Sequence, residues 1–260
     1  MANEGASVSV DHLSFFYAGN GGRVEALRKI AFSANKGDIC TIIGPSASGK
    51  STLLYILAGL LPFETGGVLI NGKRPFPGQR TTSLILQNFG LLPWKTIWDN
   101  VTLGLVIRRL PKSEIREKGE KILVEMGLAG LSERYPAELS GGQQQRVAIA
   151  RSLATEPELL LMDEPFSSLD ALTRESMQEV LQNILQTRGL TVLLVTHSIE
   201  EAAFLGHRII VLTAHPGAVY RIFDNPRAGS PDYRKSDDFF HLSTQLRGAM
   251  EFVQSAAALA

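Results

Sequence analysis

Apolar residues recur along the chain with two different spacings, and each spacing predicts its own kind of element. Near the start, Val8 to Val10 alternates with polar residues and the run "LSFFY" follows, which predicts strand. Val24 to Ala34 predicts a second strand after the glycine-rich turn "AGNGG", and Asp38 to Ile43 predicts a third. A helix is expected from about Gly49 to Leu60, and "GGVLING" and "TSLILQ" predict two more strands.

The stretch from about residue 88 to residue 156 differs, because no run in it predicts a strand. Lys112 to Met126 has helical spacing with charge on one face, and Ser140 to Glu156 also predicts a helix. Leu131 to Leu139 is irregular around Pro136. We therefore expect this stretch to form a helical subdomain.

Strand-like runs return after residue 156, separated by helical stretches. The runs "LLLMD", "TVLLVT", "RIIVLTA" and "AVYRIFD" predict strands, with helices at about Ala171 to Arg188 and Ile199 to Leu205. This alternation indicates an α/β fold with a mainly parallel sheet covered by helices. We expect a single domain over 1–260: a core of 1–87 and 157–225, the helical subdomain 88–156, and a C-terminal extension 226–260. In that extension, Phe239 to Val253 predicts an amphipathic helix that either packs on the domain or senses a regulator.

Composition and charge exclude several classes of protein. Of the 260 residues 44% are hydrophobic, and 26 basic residues balance 26 acidic ones, so the net charge does not favour a nucleic acid or an anionic membrane surface. The single cysteine, Cys40, rules out an internal disulfide, and the histidines show no metal-ligand spacing with it, so no zinc site is expected. No secretory signal is expected, and no apolar run reaches the about 20 residues of a spanning helix. Any membrane role should therefore come through a partner.

The stretch "GPSASGKST" lies between two apolar runs and contains glycines, hydroxyls and a lysine but no acid. It fits the phosphate-loop pattern G-x-x-x-x-G-K-[ST] in the required strand–loop–helix context, although a glycine-rich turn with a chance lysine is the alternative. Glycines let successive N–H groups point at an anion, which the positive end of the next helix also faces. Lys50 is expected to reach the β- and γ-phosphates, and the Ser51 hydroxyl to ligate Mg²⁺. The residues predicted to bind nucleotide here are Gly44, Pro45, Ser46, Ala47, Ser48, Gly49, Lys50, Ser51 and Thr52.

The run "LLLMDEP" places two acids at the end of a buried strand. Ligands of open α/β sheets collect at the carboxyl ends of strands, so Asp163 is a candidate partner of Mg²⁺, directly or through water. Neighbouring strand residues point to opposite faces, which leaves Glu164 as the candidate for orienting or deprotonating the attacking water. The alternative is a pair of helix-capping acids before Pro165.

The run "LSGGQQQR" has two interpretations. Ser140 and Gln143 have the spacing of a capping box, and on that interpretation Gly141 and Gly142 each cost the helix about 1 kcal/mol against alanine. Small residues at a helix N-terminus also let a phosphate approach the backbone closely, and Ser140 adds a hydroxyl donor. These four residues are therefore candidates for nucleotide binding.

The motifs and their order resemble the ATPase subunits of ATP-binding-cassette (ABC) transporters over nearly the whole chain. The matching strings are "GPSASGKST", "SLILQ", "LSGGQ", "LLLMDEP", "SSLD" and "VTHS". The resemblance implies a P-loop NTPase core with an antiparallel β subdomain, ATP and Mg²⁺ as cofactors, and ATP hydrolysis. It also implies a head-to-tail dimer, in which Ser140 and Gly142 close over ATP bound to the other subunit's phosphate loop.

The resemblance also implies roles for single residues. Gln87 would ligate Mg²⁺ together with Ser51 and Asp163 and link to the transport partner, and His197 would contact the γ-phosphate. Asp170 would lie at the dimer interface, and Tyr17 would stack on adenine. From the residues alone, His197 could be an ordinary loop histidine, and Tyr17 could belong to the core together with Phe15. Ser198 and Ser168 stand where the family often has aspartate and alanine.

A single cassette without membrane spans, sustained heptads or a basic excess best fits a stand-alone importer subunit. The alternative is a soluble cassette ATPase that acts on nucleic acid or ribosomes. The run "LLPWKTIWDNV", with "NPRAGSPDY", resembles the importer group for nitrate, sulfonates, taurine and related small solutes. This implies a peripheral position on the cytoplasmic face of the cell membrane, permease subunits docked near Gln87–Val101, an extracytoplasmic solute-binding protein as an indirect partner, and no nucleic acid. Trp94 and Trp98 either fill the helical core or form an apolar surface for a partner.

Overall fold

The computed structural model describes residues 7–19, 22–230 and 232–258. Its strands are β1 (Val8–Gly19), β2 (Gly22–Ala34), β3 (Ile39–Ile43), β4 (Thr65–Ile70), β5 (Thr82–Ile85), β6 (Leu159–Asp163), β7 (Thr191–Val195), β8 (Arg208–Leu212) and β9 (Val219–Asp224). Its α-helices are α1 (Lys50–Leu57), α2 (Ile97–Ile107), α3 (Lys112–Glu125), α4 (Gly141–Ala154), α5 (Ala171–Arg188), α6 (Ile199–Leu205) and α7 (Asp237–Ala258). Short 3₁₀ turns cover Ala129–Leu131, Pro136–Glu138 and Tyr233–Lys235.

The larger sheet has the strand order β5-β6-β7-β3-β8-β9. Its strands are parallel except β9, which runs antiparallel to β8. Every residue of β3, β6 and β7 is buried, as expected for continuous apolar strands covered on both faces. Because parallel strands end at the same edge, the carboxyl ends of β3, β5, β6 and β7 lie together. The predicted mainly parallel α/β sheet is confirmed.

A second sheet, ordered β2-β1-β4, is antiparallel and forms the predicted β subdomain. The two strand-like runs near the start, Val8 to Val10 and "LSFFY", both lie in β1, whose register with β2 shifts between Val10 and Leu13. Apolar residues of this sheet share a core with α1 and with one face of the larger sheet. The β subdomain is therefore packed against the helix that follows the phosphate loop.

The stretch from residue 88 to residue 156 holds α2, α3 and α4 and, among its described residues, no strand, as predicted. The pattern did not single out α2 as a helix. Its start is defined by Thr96, whose hydroxyl accepts a hydrogen bond from the Asp99 amide, and by the buried Asn100, which hydrogen-bonds both backbone groups of Leu92. The division into core, helical subdomain and C-terminal extension stays a prediction.

Several predicted boundaries were wrong by a few residues. Helix α1 covers only Lys50–Leu57, because Gly49 and Gly59 at its two sides have left-handed backbone angles. Strand β5 ends at Ile85, so Gln87 lies two residues beyond it. Helix α7 is longer than predicted and packs on α6 and β8. Among the described helices, none has the length and apolar character needed to cross a membrane.

Candidate functional site

The phosphate loop connects the end of β3 to the first turn of α1. Glycine is required at both of its ends. A Cβ on Gly44 would lie 3.0 Å from the Leu212 carbonyl oxygen, and one on Gly49, where φ is 80°, would lie 2.5 Å from Leu27 Cδ2. The two glycines thus let the loop turn while it packs closely against β8 and β2.

Lys50 turns its side chain back over the loop and is only 8% exposed. Its Nζ donates to the carbonyl oxygens of Gly44 (2.9 Å) and Pro45 (2.7 Å) and to the Ser48 hydroxyl (3.2 Å). Burial lowers the pKa of Lys50, and the nearby carboxylates of Glu164 and Asp163 oppose that shift. The ammonium group is therefore held inside the loop, where phosphate oxygens could replace its carbonyl partners.

Asp163 ends β6 and faces the start of α1. Burial raises the pKa of Asp163, while a hydrogen bond with the Ser51 side chain opposes the shift. A carboxylate and a hydroxyl in contact are hard oxygen ligands, and Mg²⁺ commonly binds one or two such groups and keeps several waters. No group of three or more His, Cys, Asp or Glu suited to a metal occurs among the described residues. Asp163 and Ser51 are a contacting pair of oxygen ligands that fits Mg²⁺, and Gln87 contacts Glu164, the residue next to Asp163.

Glu164 contacts the other two catalytic candidates, Gln87 and His197. Its Oε2 accepts a hydrogen bond from Gln87 Nε2 at 3.2 Å and lies 3.1 Å from His197 Nδ1. These three residues come from the ends of β5, β6 and β7, which are neighbours in the sheet. Asp163 and Glu164 have different hydrogen-bond partners, but strand alternation is not the reason, since Glu164 follows the end of β6 with a φ of 46°. The structure therefore brings the three catalytic candidates into one cluster.

Tyr17 lies beside the same helix start and is 42% exposed. Its hydroxyl is 3.0 Å from the Thr52 hydroxyl, and its ring meets the Phe15 ring edge to face at 4.9 Å between centroids. The core alternative for Tyr17 is therefore wrong. The ring offers an aromatic surface next to the phosphate loop.

Ser140 forms the capping box of α4. Its backbone N–H donates to Gln143 Oε1 at 3.0 Å, and its hydroxyl accepts from the Gln143 amide at 3.4 Å. Asp170 likewise accepts from the Thr173 amide at 3.0 Å at the start of α5, and hydrogen bonds with Thr173 lower the pKa of Asp170. Both side chains are exposed, and within the described residues their hydrogen bonds stay in their own helix N-termini.

The two glycines of the capping box have different surroundings. A Cβ on Gly142 would lie 2.8 Å from Thr173 Cγ2, whereas one on Gly141 would meet Leu169 only at 3.6 Å. Gly142 thus permits close packing on α5, which is a structural reason for glycine that the sequence pattern did not reveal. Gly141 is exposed and leaves the backbone of the helix N-terminus accessible.

Trp94 and Trp98 have different environments. Trp94 is 71% exposed. Trp98 is partly buried and packs against the helical core, so close to α3 that a Cβ on Gly119 would lie 2.7 Å from its ring. The core interpretation therefore applies to Trp98, and only Trp94 offers free aromatic surface.

Two residues near the site were not predicted. A Cβ on Gly217, in the loop before β9, would lie 2.0 Å from the Ser48 carbonyl oxygen, so this glycine supports the phosphate loop from behind. Glu201 is buried in α6, four residues after His197. A lone glycine after proline and a pair of adjacent glutamates are weak signals in a sequence, and only the packing distinguishes them.

Comparison with known proteins gives a consistent result. The sequence family described as "ABC transporter" matches residues 27–167. The chain is 43% identical over 207 residues to the taurine import ATP-binding protein TauB of Escherichia coli (strain K12), covering 80% of this chain and 81% of that protein. It is 39% identical over 241 residues to the aliphatic sulfonates import ATP-binding protein SsuB of Bacillus thuringiensis, covering 92% and 94%.

Solved structures agree with the sequence relatives. A dimeric ATP-binding cassette in a post-hydrolysis state, bound to ADP and Pi, superposes with a TM-score of 0.74 at 32% identity, covering 84% of this chain and 98% of that one. The P-loop NTPase fold and the use of a nucleotide are thereby confirmed. The chain belongs to the ABC transporter family, as one of its ATP-hydrolysing subunits.

Proposed function

We propose that this chain supplies ATP hydrolysis to a membrane importer for a small sulfonate-like solute. It would work as a peripheral subunit on the cytoplasmic face of the membrane. The import proteins for taurine and aliphatic sulfonates named above support the direction of transport and the class of solute. None of these relatives is named for work on nucleic acid or ribosomes, so we retain the importer function over that alternative.

The contact of Glu164 with both Gln87 and His197 is the observation that carries the hydrolytic role. A carboxylate between an amide and an imidazole, at the strand edge next to the phosphate loop, is placed to orient or deprotonate a water that attacks the γ-phosphate. His197 would contact the γ-phosphate. Ser51, Asp163 and Gln87 would hold Mg²⁺, which when bound neutralises developing charge on the phosphates.

The nucleotide would be bound between two copies of the chain. Residues 44–52 would surround the phosphates of the bound ATP, and Tyr17 of the same chain would stack on its adenine. Ser140, Gly141, Gly142 and Gln143 would approach that ATP from the second copy, with Asp170 at the interface. The exposed N-termini of α4 and α5 support this arrangement, and the dimeric cassette described above provides the precedent.

Permease subunits would dock near Gln87–Val101, where Trp94 is the exposed aromatic. Gln87 touches Glu164 at one end of this segment, and α2, at its other end, packs on α4. Movement of the nucleotide site could therefore reach the docking surface through few intermediates. An extracytoplasmic solute-binding protein would take part only indirectly.

Growth of a deletion strain tests the proposal. Cells without this subunit should lose growth on taurine or an alkanesulfonate as the sole sulfur source but keep growth on sulfate. The unaltered chain should restore growth, and the Glu164→Gln variant should not. Growth on every sulfonate without the subunit, with loss of uptake of an unrelated solute, would contradict the solute class. Restoration by Glu164→Gln would contradict the hydrolytic role.

A further inference from the structure

Glu201 is bonded to the turn that carries His197. Only 4% of Glu201 is exposed, and its Oε2 accepts a hydrogen bond from the Thr196 hydroxyl. The same hydroxyl accepts from the Ser198 amide at 3.0 Å, and the Ser198 hydroxyl accepts from the Glu201 amide at 3.2 Å. The Glu201 carboxylate thus holds Thr196, and its backbone amide holds Ser198, which also bonds the exposed Glu200.

His197 itself has little other support. Its side chain is 64% exposed, and its hydrogen-bond contact is the one from Nδ1 to Glu164. An exposed side chain with one contact is positioned chiefly by its backbone. The bonds between Glu201, Thr196 and Ser198 therefore decide where the imidazole lies relative to Glu164.

Arg234 of the C-terminal segment reaches the same buried region. Its guanidinium lies over the Phe204 ring at 3.6 Å from the centroid, and its Nη2 donates to Gln178 of α5. Within the described residues, Nε of Arg234 and Oε1 of Glu201 are buried and have no hydrogen-bond partner. The charge of Arg234 acts to lower the pKa of Glu201, and Glu175, Glu179 and Glu201, in that order, act to raise the pKa of Arg234.

We propose that Glu201 is a positioning residue for His197 and that Arg234 stabilises its carboxylate from the C-terminal segment. Neither residue touches the phosphate loop in this structure, so neither should bind nucleotide. The inference rests on the proposed role of His197 in hydrolysis. It assigns to the C-terminal segment a direct electrostatic influence on the catalytic cluster.

Charged groups on three elements besides α6 act on Glu201. Burial raises the pKa of Glu201 to about 7, with Glu164 acting in the same direction and Thr196, Arg174 and Arg234 opposing it. Arg174 is already engaged, since it donates to two backbone carbonyl oxygens near the start of α5. Arg234 is engaged through Nη2 with Gln178, but its Nε has no hydrogen-bond partner among the described residues.

Steady-state ATP hydrolysis by purified variants tests the inference. Glu201→Ala should lower kcat about tenfold and leave KM within about threefold, because a transition-state contact is lost and substrate binding is not. Glu201→Gln should keep most of the activity, since its amide oxygen can still accept from Thr196. Arg234→Met should lower kcat in the unaltered chain but not in the Glu201→Gln background, which has no carboxylate to stabilise. Glu251→Ala removes an exposed glutamate of α7, away from the turn, and should behave like the unaltered chain.

Other outcomes would overturn parts of the proposal. A folded Glu201→Ala protein with the kcat of Glu251→Ala would refute the positioning role. Equal losses of kcat from Arg234→Met in the unaltered chain and in the Glu201→Gln background would refute the role of the C-terminal segment. If Glu201→Ala does not fold, Thr196→Val removes the other end of the same hydrogen bond and must give the loss of kcat.

His197→Ala separates this inference from the proposed function. An unaltered kcat in His197→Ala would refute the catalytic assignment itself. A loss of kcat in His197→Ala without a loss in Glu201→Ala would refute only the positioning role.

Discussion

Two regions of the molecule contain helix N-termini: the phosphate-loop region (residues 44–52 with Gln87, Asp163, Glu164 and His197) and the signature region (residues 140–143 with Asp170). In the described part of the chain, hydrogen bonds between different elements link only the phosphate-loop region. Lys50 bonds the loop to itself, and Glu164 joins the ends of three strands. Ser140 and Asp170 bond only to their own helices among the described residues and lie exposed. One region is assembled within the chain, and the other presents free polar groups outward.

The difference indicates a division of labour between copies of the chain. A preassembled cluster lowers the cost of organising charges at the moment of reaction, which suits the side that carries the chemistry. Exposed N–H groups and hydroxyls at a helix N-terminus are satisfied by water until an anion arrives, which suits the side that closes over it. Each copy would then supply both regions to two composite sites.

Lys50→Ala should break the phosphate-loop region completely. The loss of the only buried lysine of the loop removes the charge that would face the β- and γ-phosphates, so ATP binding or turnover should vanish. Fluorescent-nucleotide binding and phosphate release measure the two. Lys112→Ala, an exposed lysine of α3, is the control. Hydrolysis by Lys50→Ala at the unaltered rate would refute the assignment of the loop.

Ser140→Ala should damage the signature region without touching nucleotide binding by a single chain. Hydrolysis should fall about tenfold because a donor to the transferred phosphate is lost. The same change also removes a helix cap, worth about 1 kcal/mol. Ser236→Ala removes a comparable cap from α7, with the same 3.4 Å bond, and serves as the matched control. Equal hydrolysis by the two variants would show that Ser140 only caps its helix.

Trp98→Ala and Trp94→Ala probe the segment that connects the two regions. Trp98→Ala should destabilise the isolated subunit by about 3 kcal/mol, as a large core truncation does, whereas Trp94→Ala should cost less than about 0.5 kcal/mol. Thermal unfolding measures both. Trp94→Ala should instead weaken assembly with the permease, or uncouple hydrolysis from uptake. A large loss of stability in Trp94→Ala, with assembly lost only in proportion, would refute the docking role.

The stability of the fold near the catalytic cluster should depend on pH through Glu201. Its folded pKa of about 7 lies above the ordinary value of 4.5. The folded state therefore keeps a proton that the unfolded chain loses. The contribution of this group to stability is complete below the unfolded pKa and is lost as pH rises through about 7.

Glu201→Gln should remove that dependence. Between pH 5 and pH 8 the unaltered chain should lose stability relative to this variant by about 2 kcal/mol. Denaturant unfolding at the two pH values measures the difference, and Glu200→Gln is the control. Parallel pH dependences of the unaltered chain and Glu201→Gln would contradict the raised pKa.

The sequence predicted the parallel core well, because fully buried strands read as unbroken apolar runs. Helices Ala171–Arg188 and Ile199–Leu205 were predicted with the bounds that the structure has. The end of α1 was predicted too late in the chain. The left-handed backbone of Gly59 ends the helix, and a glycine in a sequence permits this conformation but does not require it. Helix α2 was not singled out, because the exposed apolar residues Val106 and Ile107 obscure the helical spacing of the buried Ile97, Val101 and Leu105.

The site was predicted as a set of residues rather than as an arrangement. Motif spacing named Gln87, Glu164 and His197, but only the strand order β5-β6-β7 places them side by side. Spacing could not separate Trp94 from Trp98, because Gly119 on a different helix decides which ring is covered. Glu201 resembled a surface residue beside Glu200, and its burial depends on packing by α5 and the C-terminal segment.

The central claim is that ATP is bound between two copies of the chain, and self-association of the Glu164→Gln variant tests it most directly. The change removes the carboxylate but keeps its size and most of its hydrogen bonding, so ATP should stay bound and uncleaved. Sedimentation should show a stable dimer in saturating Mg-ATP and a monomer without nucleotide. The double variant Glu164→Gln with Ser140→Arg, which obstructs the signature region, should stay monomeric in both. A Glu164→Gln protein that remains monomeric in saturating Mg-ATP, although it binds ATP, would contradict the composite site.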